Sequence, residues 1–227
     1  MHEIELTYSC DQSTRRPPRR RKRRILVLSL VLWLVLVSIG LGSLAGYEAS
    51  PGVQAAPPVQ WPTGSIIRPT AQQATLVVLA HPHCPCTRAT IGELAAIMAH
   101  SQGRLNAYVL FIKPTGVASD WAVTDLWQSA ARIPGVKVLE DSDGSEARRF
   151  NSATSGQALL YDPQGHLLFS GGITAARGHS GDNAGRDAIV SLVNANPADR
   201  NQTPVFGCPL FDSRSECLVS KDESSKH

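Results

Sequence analysis

Thr75-Leu-Val-Val-Leu-Ala-His-Pro-His-Cys-Pro-Cys-Thr87 is the stretch that decides how this chain folds. Its first part, Thr75–Ala80, is a short uninterrupted apolar run, the pattern of a strand buried on both faces. His81–Cys86 then crowds two histidines and two cysteines into six residues. The following run, Arg88–Ser101, sets Ile91, Leu94, Ala95 and Met98 at helical spacing and stops before Gly103. The cysteines therefore fall at a strand-to-helix junction, where the positive end of a helix dipole favours a thiolate.

Downstream the pattern keeps alternating. Leu105–Ile112 reads as a second strand, and Ser119–Ala131 as a helix with Ala122, Leu126, Trp127 and Ala130 on one face. Val136–Leu139 is a short strand and Ser145–Phe150 a short helix. Ala158–Tyr161 and His166–Ser170 flank the turn Asp162-Pro-Gln-Gly165, so they form an antiparallel hairpin. Asp187–Ala195 is a last helix with Ile189, Leu192 and Val193 inward, and Asp182 or Asn183 is placed to cap it. Strands and helices in this order predict an α/β sandwich around a mixed central sheet. Val205-Phe-Gly-Cys-Pro-Leu-Phe211 is too apolar for a free tail and is expected to pack back on the domain.

The order of elements and the Cys84-Pro-Cys86 turn resemble the thioredoxin-like superfamily over roughly Thr75–Asn194, and most closely its membrane-anchored redoxins of the RedB-like type. The resemblance implies a thioredoxin-like sandwich and thiol–disulfide exchange with protein or small-molecule thiols and disulfides. This chain departs from the family at three places. His83 stands where an aromatic residue usually precedes the first cysteine, and Val78 where many members bury an acid. Thr154-Ser-Gly-Gln157 lacks the proline that normally faces the cysteines.

Four residues carry the expected chemistry. Cys84, outside the helix start, is expected to be the exposed attacking thiol, with His83 and His81 tuning its thiolate. Either Cys86 or Cys208 is available to resolve a mixed disulfide, although a Cys84–Cys86 bridge is strained by its spacing. A structural Cys208–Cys217 bridge is a further pairing. His81, His83, Cys84 and Cys86 are also nitrogen and sulfur donors suited to copper, so a metal carrier is the alternative function; no other cofactor is expected. A thiol peroxidase is a third reading, although His81 stands where its peroxide pocket uses a threonine. The Gly171–Gly185 loop lacks a phosphate-binding signature; it either lines the site with Arg177 and His179 or serves only to cap the last helix through Asp182 or Asn183, and the role of His179 stays open.

The first 46 residues set the compartment. Residues 15–24 hold eight basic residues and no acid, and Ile25–Gly46 is an uncharged run of 22 residues. At about 1.5 Å per residue such a run spans a hydrocarbon core of roughly 30 Å. A basic block before the span predicts a cytoplasmic N-terminus and an extracytoplasmic, periplasmic domain, where disulfides persist. Of 22 Lys+Arg and 19 Asp+Glu in the chain, 14 and 16 remain beyond residue 24. That balance excludes a basic nucleic-acid surface on the domain. The expected organisation is thus a basic tail over 1–24, an anchor over 25–46, a Pro-rich linker over 47–72, the folded domain over 73–212 and a polar tail over 213–227.

Overall fold

Ten elements follow one another along the chain in the computed structural model, which describes residues 19–101 and 103–211. Cys10, Cys217, the first part of the basic tail and the polar C-terminal tail lie outside the described residues, and so does the Cys208–Cys217 pairing. The chain divides into two units, residues 1–46 and 47–227. The first contributes most of α1 (Arg19–Glu48), a helix long and apolar enough to cross a membrane by length and composition.

The second unit is built on a five-stranded sheet of order β3-β2-β1-β4-β5. Its strands are β1 (Ala74–Ala80), β2 (Leu105–Lys113), β3 (Val136–Ser142), β4 (Gln157–Tyr161) and β5 (Leu167–Gly172). β1, β2 and β3 run parallel, while β4 is antiparallel to β1 and to β5, so the sheet is mixed. β1 is central, paired through Val78 with Val109 on one side and Ala158 on the other.

Alternate residues of a strand face opposite sides of the sheet. Leu76 and Val78 join Val109, Phe111, Ala158, Leu160 and Phe169 beneath α2 (Thr87–His100), α3 (Asp125–Ala131) and α5 (Ala184–Val193). Val77 and Leu79 join Leu110, Leu159 and Tyr161 on the other side, against Ala147 of α4 (Ser145–Arg149), Phe150, Ile67 and Leu210. A strand covered on both faces needs apolar residues at every position, which is why Thr75–Ala80 shows no alternation.

Several expected boundaries move for local reasons. α3 begins at Asp125 rather than Ser119, because the Thr124 hydroxyl accepts the Trp127 N–H and caps the helix there. β3 continues to Ser142 because it pairs with β2 as far as Lys113. α5 starts at Ala184, and it is Asn183 that caps it, accepting the Arg186 N–H at 2.8 Å. Asp182 instead pairs with the Arg186 guanidinium.

Residues 51–67, within the linker expected over 47–72, lie along the domain. Trp61 packs edge-on against Phe150 and Tyr161, and the Tyr161 hydroxyl donates to Pro58 O at 2.9 Å. The segment after α5 packs back as expected. Ser170 N–H donates to Asn201 O at 3.0 Å and Gly172 N–H to Pro204 O at 3.2 Å, so the segment follows the outer edge of β5. It then turns across the ends of the strands, which brings Cys208 to the end of β1.

Candidate functional site

β1 ends at Ala80, and its last turn is pinned by the loop before β4. Gly156 N–H donates to Leu79 O at 2.7 Å, and His81 N–H donates to the Ser155 hydroxyl at 2.9 Å. Ser155 also meets the Thr87 hydroxyl at 3.1 Å. It stands in the Thr154–Gln157 stretch where the family resemblance would place proline, and no cis peptide bond occurs among the described residues. The chain from His81 turns tightly: Cys84 N–H donates to His81 O, and Thr87 N–H donates to Cys84 O. Cys86 is the residue before the first turn of α2.

The central finding is a sulfur pair. Cys84 Sγ and Cys208 Sγ lie 2.9 Å apart, although the residues are 124 positions apart in sequence. The Cys208 segment is held by main-chain bonds: Ser155 N–H donates to Cys208 O and Leu210 N–H to Ala153 O, both at 2.8 Å. Arg177 donates from Nη1 to Gly207 O and from Nε to Ser50 O. A Cβ added at Gly207 would stand 1.9 Å from Ser155 O, so only glycine lets the two strands approach this closely.

Cys84 was expected to be the exposed thiol, but it is buried, with 2% of its surface accessible. The Cys208 segment covers it, and Cys208 itself is part-exposed. Burial of Cys84 works against its thiolate. The Cys208 thiol and the backbone N–H groups of Cys208, Cys86 and Thr87 outweigh that cost, and its pKa falls below the ordinary thiol value. Cys208 moves the other way: burial, and the proton it shares with Cys84, push its pKa up to about 12. Cys86 is also held above the ordinary value, first by burial and then by the charge of Cys84, with Arg177 opposing both.

The histidines form a separate cluster beside the sulfurs. The His83 ring lies 4.6 Å from the Trp121 ring, and its Nε2 is 3.2 Å from Trp121 O. The His81 ring is 5.5 Å from the same indole, and its Nδ1 accepts the His83 N–H at 3.2 Å. His81, His83, Cys84, Thr154, Arg177 and Cys208 line a cavity of ≈ 660 Å³. Arg177 thus reaches the site, whereas His179 is exposed and does not line the cavity.

The alternative donor set does not assemble. Among the described residues no three His, Cys, Asp or Glu side chains converge on a point able to hold a metal ion. His83 is turned onto Trp121 O, so the residues present do not fit a copper centre built from His81, His83, Cys84 and Cys86. Trp121 and Ser155 are the site residues that sequence reasoning missed. Trp121 reads as core beside a helix, and an isolated serine before a strand carries no signal.

No family model matches the chain, and no curated protein matches it in sequence. Solved structures do resemble it. A hypothetical protein from Sinorhizobium meliloti superposes with a TM-score of 0.57 at 17% identity, covering 72% of this chain and 100% of that one. An uncharacterized conserved protein from Geobacillus kaustophilus gives 0.53 at 17% identity, over 73% of this chain and 94% of that one. A secreted Mycobacterium tuberculosis disulfide oxidoreductase homologous to DsbE of E. coli gives 0.40 at 15% identity, over 56% and 83%. At these identities the likeness is one of fold.

Proposed function

We propose that the second unit of this chain, whose mixed five-stranded sheet and strand–turn–helix cysteine junction resemble the thioredoxin-like superfamily, is a thiol–disulfide oxidoreductase whose redox couple is Cys84 and Cys208. The observation that carries this reading is the 2.9 Å approach of two sulfurs from opposite ends of the domain. Of the two resolving thiols open from the sequence, Cys208 is favoured because its approach needs no strained bridge between neighbours two residues apart.

In this reading the couple stores two electrons. Reduced, it is a hydrogen-bonded pair in which Cys84 is the more readily ionised sulfur and Cys208 retains its proton. Oxidised, it is a disulfide joining the two. Its partners are protein or small-molecule thiols and disulfides that reach the cavity. Arg177 positions the Cys208 strand, and His81 and His83 line the entrance. The basic block ahead of the uncharged run Ile25–Gly46 supports a cytoplasmic N-terminus and a periplasmic domain, a compartment in which such a couple can stay oxidised.

Mass-spectrometric disulfide mapping of the full-length protein, poised across glutathione redox buffers, tests the proposal. The expected result is a Cys84–Cys208 pair that opens and closes reversibly at a potential above about −300 mV, the range below which structural bridges lie. Cys84 remaining reduced at every poise, with Cys208 free or bridged to Cys217, overturns it.

A further inference from the structure

The two sulfurs of the pair are not equivalent. Cys84 has almost no accessible surface, and it is boxed in by Cys208 and by the backbone N–H groups of Cys86 and Thr87. Both residues border the cavity that His83, Thr154 and Arg177 also line, but only Cys208 is part-exposed. A thiolate breaks a disulfide by arriving in line behind the sulfur it attacks, opposite the sulfur that leaves. Cys84, with 2% of its surface accessible, offers such an approach almost no room even though it borders the cavity, whereas Cys208 has surface open to solvent.

We infer that in the oxidised protein an incoming substrate thiolate attacks Cys208, so that the mixed disulfide forms there and Cys84 is released as the buried thiolate. This rests on the Cys84–Cys208 redox couple proposed above and reverses the roles suggested by the sequence. The steps balance. The substrate sulfur bonds to Cys208 Sγ as the Cys84–Cys208 bond breaks and its electron pair stays on Cys84. The second substrate thiol then loses its proton and attacks the first substrate sulfur, expelling Cys208, which takes up a proton. The substrate dithiol has become a disulfide, and the protein holds two more electrons.

The energetics of the leaving group point the same way. Disulfide exchange is faster when the departing thiol is the more acidic one, and Cys84 is held below the ordinary thiol value while Cys208 is held well above it. In the reduced protein the good nucleophile, Cys84, is covered, and the accessible thiol, Cys208, keeps its proton. The site is therefore built to take electrons from thiols, and its substrate class is a dithiol to be oxidised.

The test uses the full-length protein, oxidised with glutathione disulfide and desalted. A portion is mapped to locate its bridges; the rest is pulsed with reduced glutathione, quenched with acid, alkylated and mapped. The inference expects the glutathione adduct on Cys208, with Cys84 alkylated, in excess over the opposite arrangement by about tenfold or more. An adduct predominantly on Cys84 or Cys86 overturns the inference while leaving the redox couple intact. A starting protein that contains no Cys84–Cys208 bridge overturns the redox couple itself, and the inference with it.

Discussion

Replacing Gly207 by alanine asks whether the main chain of the Cys208 segment is what delivers that thiol to Cys84. The new Cβ would stand 1.9 Å from Ser155 O and 2.9 Å from Ser155 C, both backbone atoms that cannot swing aside. Gly207 is not among the residues with a positive φ, so the cost is steric rather than conformational. Relief requires the strand to lift from residues 153–155, which weakens the two main-chain hydrogen bonds at 2.8 Å that fix Cys208. Overpacking of this kind costs about 1–3 kcal/mol and each hydrogen bond about 1 kcal/mol net. Taking only about 2 kcal/mol as the loss in positioning, the effective concentration of Cys208 toward Cys84 falls roughly 30-fold. The assay is the equilibrium between the Cys84–Cys208 disulfide and a glutathione series, read by quantitative alkylation, with circular dichroism to confirm folding. Gly92→Ala is the control: its Cβ meets only Ser180 Oγ at 3.7 Å, within helix α2. It should leave the equilibrium unchanged and stabilise the fold by about 0.5–1 kcal/mol. A Gly207→Ala protein that folds and closes its disulfide as readily as the unmodified chain would refute the argument.

Other consequences can be measured directly. Glu93 is buried, accepts the Gly181 N–H at 2.7 Å and pairs with Arg186 at 2.9 Å, tying the glycine-rich loop to α2. Arg186→Ala removes the only cation paired with that carboxylate among the described residues, leaving it the Gly181 N–H and the Asn183 amide, and should cost about 2–3 kcal/mol in urea unfolding; a loss below about 1 kcal/mol, the worth of a surface pair, would count against a buried bond. Burial raises the Tyr161 phenol above its ordinary value. The folded state thus keeps its proton while the unfolded chain ionises, and stability is lost as pH rises past the ordinary phenol range near 10. The slope is about 1.4 kcal/mol per pH unit. Urea unfolding of the unmodified chain and of Tyr161→Phe between pH 9 and about 11 should show the steeper decline only with the tyrosine; parallel curves refute it. Trp121→Ala removes the edge-on ring contact to His83 while keeping the Trp121 carbonyl, and should shift the His83 imidazole NMR signals, while the Cys84–Cys208 equilibrium stays within about threefold; unmoved signals would deny the ring contact.

How much of this was legible in advance follows from what each feature depends on. The strand at 74–80, the helix after it and the β4–β5 hairpin are written in short-range patterns: an unbroken apolar run, helical spacing, and a turn closed by Gly165 at φ 83°. α3 starts six residues after Ser119 because Thr124 caps it, a role invisible until the chain turns there. The placement of both cysteines at the head of α2 was likewise readable. Their exposure was not, since it depends on what covers them.

The sequence by itself determined the long apolar N-terminal helix, the order of strands and helices and the strand–turn–helix junction that holds Cys84 and Cys86, because each is specified by residues close together in the chain. Only the tertiary structure decided which thiol meets Cys84. The glycines at 171, 172 and 207 were plain to see, but not that they clear a path for residues 201–210 along β5 and across Ser155. Nor does any local pattern set Trp121 against the two histidines or join Glu93 to Arg186. Contacts between distant residues are selected by packing of the whole sheet against its helices, and no short-range periodicity encodes them.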